Sequence, residues 1–268
     1  MNPLKRYLFE NMYEKPPLTV SVYAPTPNEM IYRARNALYN GADAFLFHLE
    51  SLHSEYRNEK SFRDIFEQCG GKPIMITCYP NSSATKDLSD DELFEIELDA
   101  VRAGVSCVDI RGDMFDRIDR HQARELSMKP DVIEKQKKAI EKVHEMGAQV
   151  IMSCHVLSEY LDTETLLEMG KEIQSRGADI VKIVMNAFSE EQMVEAYTST
   201  FRLHRELEKP VLHLIVGKYS QTHRMLGAAL GSCLSFCVDN YDQYQNKVKP
   251  KLSAMRAIYD NLQYYHFE

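Results

Sequence analysis

Two residues that can do covalent and proton-transfer chemistry lie at or near the ends of neighbouring apolar runs. His155 closes the run 150–155, and Lys182 lies within the run 178–184. A lysine in a stretch that reads as a buried strand is rare, because an ammonium taken out of water is costly unless it is paired or neutralised. Burial disfavours the charged amine, and a neutral amine can attack a carbonyl to form a Schiff base. We therefore predict that Lys182 is a nucleophile and that the imidazole of His155 transfers protons.

A candidate anion-binding residue, Arg224, follows the apolar run 211–216 and stands close to a predicted helix start. A guanidinium near a helix N-terminus makes a binding site for a carboxylate or a phosphate. His48, His213 and His223 also lie at or near strand ends. They show no HxH or HExxH spacing, so the sequence predicts no metal site.

The elements that would position these residues alternate regularly along the chain. Eight short β-rich runs are separated by segments with helical periodicity, and several of those segments end in a glycine that fits a left-handed helix C-cap. Seven segments open with a plausible cap or first-turn residue: Thr26, Ser61, Ser89, Asp131, Asp162, Ser189 and Ser220. The near-continuous apolarity of the runs suits strands covered on both faces. They cover residues 18–23, 44–47, 73–78, 105–110, 150–155, 178–184, 211–216 and 233–236. We predict an α/β fold, a (β/α)₈ TIM barrel in a single domain over residues 1–268, with catalytic groups at the C-terminal ends of the strands.

Composition limits the classes of partner. The 268 residues include 40 acidic and 32 basic side chains, a net charge of −8, which argues against nucleic acid or an anionic membrane as the main partner. No apolar stretch approaches the ~20 residues that span a bilayer, and the N-terminus lacks the apolar core of a signal peptide, so a cytoplasmic location is expected. The six cysteines form no CxxC pair and are expected to act as small core residues.

The longest segment without a clear pattern runs from Arg111 to Lys129, after the predicted fourth strand. In a barrel it is a βα loop on the active-site face. It reads either as a lid or as an ordinary solvated insertion, since charge runs are usually surface features.

Several of these runs together resemble a known family. Residues 151–155, 177–183 and 209–224, followed by Gly231-Ser232 and Phe236, are similar to type I 3-dehydroquinate dehydratases, as is the segment 41–43. The resemblance implies that Lys182 forms an imine with a substrate ketone and that His155 removes the neighbouring proton and later protonates the leaving hydroxyl. It implies that Arg224 holds the substrate carboxylate, that the substrate is a small keto acid, that no metal or organic cofactor is needed, and that the chain forms a homodimer.

The sequence departs from the family at the positions that contact substrate. Leu46 and His48 stand where the family has a Glu-x-Arg pair, and Tyr79 and Ser83 stand where it has an Arg and a Glu that orients the catalytic histidine. His48, Tyr79 and Gln243 are the predicted substrate-binding residues at these and the C-terminal positions. Because polar contacts to substrate hydroxyls give strong discrimination, these replacements indicate a changed substrate.

Three functions remain open from the sequence. The first is a Schiff-base lyase that eliminates water from a carboxylated cyclic ketone, either 3-dehydroquinate, giving 3-dehydroshikimate, or a related keto acid. The second is a class I aldolase acting on a small sugar-like ketone. The third is a barrel without catalysis that binds a metabolite, which the missing histidine-orienting acid motivates.

Overall fold

The computed structural model describes residues 8–12, 14–243, 245 and 247–262. Eight strands alternate with eight principal α-helices along the chain. The strands are β1 (Leu18–Val22), β2 (Ala44–His48), β3 (Ile74–Thr77), β4 (Cys107–Arg111), β5 (Gln149–Val156), β6 (Ile180–Asn186), β7 (Val211–Val216) and β8 (Ser235–Cys237). The helices are α1 (Pro27–Tyr39), α2 (Glu59–Phe66), α3 (Asp90–Arg102), α4 (Pro130–Glu145), α5 (Thr163–Ser175), α6 (Glu190–Glu206), α7 (Ser220–Leu226) and α8 (Leu252–Tyr259).

The strands form one parallel sheet in the order β7-β6-β5-β4-β3-β2-β1-β8. The backbone N–H of Cys233, just before β8, donates to the carbonyl of Val211 at 2.8 Å, so the two ends of the sheet approach each other. The sheet therefore curls into a nearly closed barrel, and the predicted (β/α)₈ fold is confirmed. Within the described ranges, no helix combines the length and apolarity needed to cross a membrane.

The core has two layers because strand side chains alternate between the two faces of the sheet. A large cluster between strands and helices contains Phe45, Phe47 and Val108. A smaller cluster fills the barrel interior and includes Met75 and Leu46, which lies between Phe45 and Phe47 in the chain and so points to the other face of the sheet. Polar residues that share the inward-facing positions therefore project into the barrel. All six cysteines are buried and free of disulfides, as predicted.

The helix starts agree with the predicted caps at four positions. Thr26, Ser89, Asp162 and Ser189 each accept a hydrogen bond from a backbone N–H in the first turn. Ser61, Asp131 and Ser220 lie in the first turn and do not cap the helix. Asn58 accepts from the N–H of Ser61, so α2 begins at Glu59, while α4 begins at Pro130 and α7 at Ser220 itself.

Candidate active site

The barrel has a cavity of about 360 Å³ at the C-terminal ends of its strands. Both residues of the predicted catalytic pair line it, Lys182 from β6 and His155 from β5. In the parallel register Lys182 on β6 pairs with Ser153 on β5, and His155 lies two residues beyond Ser153 on β5. Because alternate residues of a strand share a face, Ser153 and His155 both project into the barrel interior beside Lys182.

The amine of Lys182 is 5% exposed and has a buried carboxylate as its partner. Its Nζ lies 2.7 Å from Oδ2 of Asp109 on β4 and 3.3 Å from the hydroxyl of Tyr79. The sequence predicted an uncharged amine from burial alone, and that expectation did not include Asp109. The ion pair stabilises the ammonium form before substrate arrives, so a proton must leave Nζ before the amine can attack a carbonyl.

Tyr79 connects the amine to the neighbouring strands. Its hydroxyl lies 2.9 Å from Oδ2 of Asp109 and 2.9 Å from Oγ of Ser153. Burial first, and the nearby charge of Asp109 second, raise the pKa of Tyr79 well above its ordinary value, so the phenol stays protonated. It can therefore donate to Asp109 while its oxygen accepts from the amine or from Ser153.

The imidazole of His155 is oriented by a carboxylate that the sequence did not identify. Glu125, 1% exposed, contacts both Nδ1 and the backbone N–H of His155. A carboxylate partner at Nδ1 makes that nitrogen the donor and leaves Nε2 as the basic nitrogen. Burial lowers the pKa of His155, and Glu125 opposes that effect, so the ring is available as a neutral base.

The unpatterned segment 111–129 is part of the site. It carries Glu125 and Arg120, whose Nη2 lies 3.4 Å from Oε1 of that carboxylate, and Arg120 also lines the cavity. Backbone bonds from Glu125 N–H to the His155 carbonyl at 3.1 Å, and from Leu157 N–H to the Arg120 carbonyl at 2.9 Å, hold the segment against the end of β5. Nothing in its hydrophobic pattern predicts these contacts.

Glu50 brings a carboxylate to the end of β2, where Leu46 and His48 stand in place of the family's Glu-x-Arg pair. Glu50, in a short 3₁₀ helix at 49–51, is 5% exposed and lines the cavity. Its Oε1 lies 3.1 Å from Nδ1 of His48, and Thr77 Oγ1 donates to both carboxylate oxygens. The carboxylate that is absent at Leu46 and His48 is therefore supplied to the cavity by Glu50.

His48 faces the cavity as a neutral ring. It stacks on Tyr23 with ring centroids 3.6 Å apart, and burial lowers its pKa to about 4. Its Nε2 is buried without a hydrogen-bond partner among the described residues, so it can serve a substrate polar group.

Arg224 on α7 lines the same cavity and is 6% exposed. Its Nε and Nη1 find no hydrogen-bond partner within the part of the chain that the structure describes. A buried guanidinium with unused donors is costly, and a bound anion would satisfy it. Burial lowers the pKa of Arg224 to about 10, which still leaves it charged at neutral pH.

Gln243 and Ser83 are not brought to this cavity. Both side chains are exposed, and neither lines it. In the same C-terminal segment it is Lys249 that lines the cavity, with Nζ 3.1 Å from the Tyr23 hydroxyl.

Asp109 could have been found from the sequence, since it is a charged residue in an apolar run, which is the signal that singled out Lys182. No group of three histidine, cysteine or acidic residues in the described ranges is placed to hold a metal.

Comparisons with known proteins agree with this geometry. The family model of type I 3-dehydroquinase matches residues 18–265. The 3-dehydroquinate dehydratase of Klebsiella pneumoniae is 22% identical over 225 residues, covering 82% of this chain and 83% of the relative. The crystal structure of 3-dehydroquinate dehydratase from Geobacillus kaustophilus superposes with a TM-score of 0.78 at 17% identity, covering 94% of this chain and 93% of the other. A type I 3-dehydroquinate dehydratase from Clostridium difficile gives a TM-score of 0.76 at 15% identity, covering 91% of each chain.

Proposed function

The chain belongs to the type I 3-dehydroquinase family, and from this premise we propose that it is a Schiff-base-forming lyase that eliminates water from 3-dehydroquinate or a related carboxylated keto acid. The observation that carries the proposal is the shared cavity of Lys182 and His155, in which a buried amine and an oriented imidazole project from adjacent strands. Glu125 removes the reason for assigning an inactive barrel, because the imidazole has an acid to orient it.

The reaction would use these groups in sequence. Asp109 takes a proton from the amine and Nζ of Lys182 attacks the ketone carbon. The ketone oxygen then receives a second proton from Nζ and the proton held by Asp109, and leaves as water. The iminium draws electrons from the neighbouring C–H bond, so the imidazole of His155 can remove that proton. The resulting enamine expels the β-hydroxyl, which takes the proton back from His155 and leaves as water. A second water then hydrolyses the imine, releases the unsaturated product and frees Lys182.

The remaining residues would bind the substrate. Arg224 offers two unused N–H donors to the carboxylate, and His48, at the end of β2 and across the barrel from Lys182 on β6, offers its unpartnered Nε2. Tyr79 keeps its hydroxyl on the amine and its carboxylate partner, so we assign it to positioning Lys182. Exposed Gln243 has no part in this proposal.

Borohydride reduction in the presence of 3-dehydroquinate tests it. We expect an irreversible adduct on Lys182, located by peptide mass spectrometry, and formation of a conjugated dehydration product. Lys182→Met should abolish both, whereas Lys171→Met, an exposed lysine on α5, should retain both. Turnover with an unmodified Lys182 would reject the mechanism, and an adduct accompanied by carbon–carbon cleavage would indicate an aldolase.

We also propose that the whole chain is one barrel domain, located in the cytoplasm and assembled as a homodimer. Closed twofold dimers are the commonest assembly of soluble proteins, which supports the last point. Light scattering after size-exclusion chromatography measures the assembly directly.

A further inference from the structure

One end of the cavity has more positive charge than a single carboxylate would neutralise. Four cationic side chains line it: Lys182, Arg120, Arg224 and Lys249. Lys182 is paired with Asp109 at 2.7 Å, and Arg120 lies 3.4 Å from Glu125. These two cations are therefore matched by carboxylates of the chain.

Arg224 has no such match. Its side chain is 6% exposed, and both Nε and Nη1 are buried without a partner among the described residues. A guanidinium in that position pays a desolvation cost that no protein group offsets, which makes it a strong site for a negatively charged ligand atom.

Lys249 adds a second unmatched cation beside it. This half-buried residue lies between β8 and α8, and its Nζ is 3.1 Å from the Tyr23 hydroxyl and 4.9 Å from the centre of that ring. No carboxylate of the described residues forms an ion pair with it. Burial, followed by the charges of Arg224 and Lys182, lowers the pKa of Lys249 to about 7. The charge of Arg224 is thus close enough to disfavour the charged form of Lys249.

Among the described residues that line the cavity, Glu50 is the one acid, and its oxygens are already used. They lie within hydrogen-bond distance of Thr77 Oγ1 and of Nδ1 of His48. The charge of Glu50 therefore does not replace a ligand at the Arg224 end, although it favours the charged form of Lys249.

From these contacts we propose that Arg224 and Lys249 together bind a dianionic group, so that the substrate carries two negative charges at this end. The chemistry fits either a phosphate monoester or a pair of carboxylates on one carbon. This inference rests on the proposed function, since the same ligand must place its ketone at Lys182. It narrows the related keto acid of that proposal to one with a second anionic group, and it implies that 3-dehydroquinate, with one carboxylate, leaves Lys249 without an anionic partner.

The test uses three simple anions and the full chain. Malonate carries two carboxylates, inorganic phosphate represents the phosphate ester, and acetate supplies a single carboxylate. Binding is measured by calorimetry at pH 7, and occupancy of this cavity is checked by protection of Lys182 from borohydride trapping with 3-dehydroquinate. The variants are Lys249→Gln, Lys249→Arg, which keeps the charge, and Lys247→Gln, an exposed lysine in the same segment.

We expect malonate or phosphate to bind the wild-type chain about tenfold or more tightly than acetate, because a charge-assisted hydrogen bond is added. Lys249→Gln should reduce that preference to about twofold, while Lys249→Arg and Lys247→Gln retain it. A preference for malonate alone identifies a dicarboxylate, and one for phosphate alone identifies a phosphate ester. Equal binding of acetate and the dianions to the wild-type chain, or a preference that survives Lys249→Gln, would overturn the inference.

These outcomes are separable from failure of the proposed function. Anion binding is read by calorimetry and requires no imine. If 3-dehydroquinate gives no adduct, protection is read instead from the rate at which a small carbonyl reagent and borohydride modify Lys182. If dehydration occurs but the anions bind equally, only the dianion inference fails.

Discussion

Replacing Glu125 by glutamine tests the arrangement on which the proposed catalysis by His155 depends. Glutamine keeps the size of the side chain and one carbonyl oxygen, so it can still accept from Nδ1 or from the backbone N–H of His155. What it removes is the negative charge that stabilises the imidazolium formed when His155 takes the substrate proton.

The expected magnitude follows from that single contact. A hydrogen bond to a charged group contributes about 1.5–3 kcal/mol, which corresponds to roughly 10–150-fold in rate. The effect cannot exceed what a general base supplies in total, typically about 10²–10⁴-fold. We therefore expect kcat for dehydration to fall between about tenfold and 150-fold in Glu125→Gln, with a smaller change in KM.

The pH dependence gives a second reading. Burial lowers the pKa of His155 and Glu125 opposes this, so removal of the charge should lower that pKa further. Since the neutral ring is the base, the acidic limb of the kcat profile should move to lower pH in Glu125→Gln. A purely structural defect would reduce kcat without moving that limb.

Glu159→Gln is the matched control. Glu159 makes an ion pair at 3.0 Å with Arg124, the residue immediately before Glu125. Both side chains are exposed, and exposed ion pairs contribute little to the free energy of unfolding. Kinetics by product absorbance and urea unfolding by circular dichroism are measured on both variants. An unchanged kcat and an unshifted acidic limb in Glu125→Gln, with the fold intact, would refute a role of Glu125 in orienting the base.

Three further changes test the site and the barrel around it. Asp109→Asn should lower the free energy of unfolding by about 3 kcal/mol in urea titrations at pH 7, because it leaves the ammonium of Lys182 without its buried partner. Gly112→Ala should lower kcat by about tenfold or more, because the added Cβ would lie 2.6 Å from the carbonyl oxygen of Glu125 and displace that residue. His223→Phe should reduce the stability lost between pH 7 and pH 4.5 by about 2 kcal/mol, measured by urea unfolding at both pH values.

The sign of the last prediction follows from burial. Burial lowers the pKa of His223 to about 4, against 6.5 in the unfolded chain, so the unfolded chain takes up the proton first as pH falls. Stability is therefore lost below pH 6.5 as the folded pKa is approached. Burial, followed by the charge of Arg224, keeps the folded ring from taking a proton. The Thr200 hydroxyl donates to the Ala196 carbonyl and so must accept from His213 and His223, and the other nitrogen of each ring, where a second proton would bind, has no described partner.

Each of these changes has its own control or contrary result. Gly227→Ala places a Cβ 3.5 Å from the Ser232 hydroxyl, an ordinary contact, and should leave kcat within about twofold. Equal losses in both glycine variants would mean that Gly112 does not act through Glu125. An Asp109→Asn variant as stable as the wild type would show that the amine is neutral in the folded chain. If His223→Phe loses as much stability in acid as the wild type, the ring is not the proton acceptor.

The strands and the two reacting residues could be predicted because packing fixes them. A parallel strand buried on both faces must be apolar, so Lys182 and His155 stand out against their neighbours, and the period of two places them on one face. The same argument identifies Asp109 once a charged residue in an apolar run is taken as a signal. Helix caps were predictable where Ser, Thr or Asp directly precedes the helix, and failed at Ser61 because Asn58 caps earlier.

Glu125, Glu50 and Lys249 could not be predicted because they lie in connections without periodicity. A loop residue is directed by its backbone bonds to other segments, such as the one from Glu125 N–H to the His155 carbonyl, and these join residues far apart in sequence. Gln243 shows the opposite error, since matching a loop by approximate spacing selected a residue that the chain leaves exposed, while Lys249 enters the cavity.

The contrast between strands and loops explains how a diverged member can keep a reaction and change its substrate. Imine formation and proton transfer need an amine and a base at fixed separation, and only the barrel strands can hold that geometry. The acid behind the base needs only to reach Nδ1, so a residue of the β4–α4 connection serves as well as one following β3. Groups that recognise the rest of the substrate enter from the same connections. Lys249 lies in such a connection, between β8 and α8, so the charge at its position can change without altering the strand register that holds Lys182 and His155.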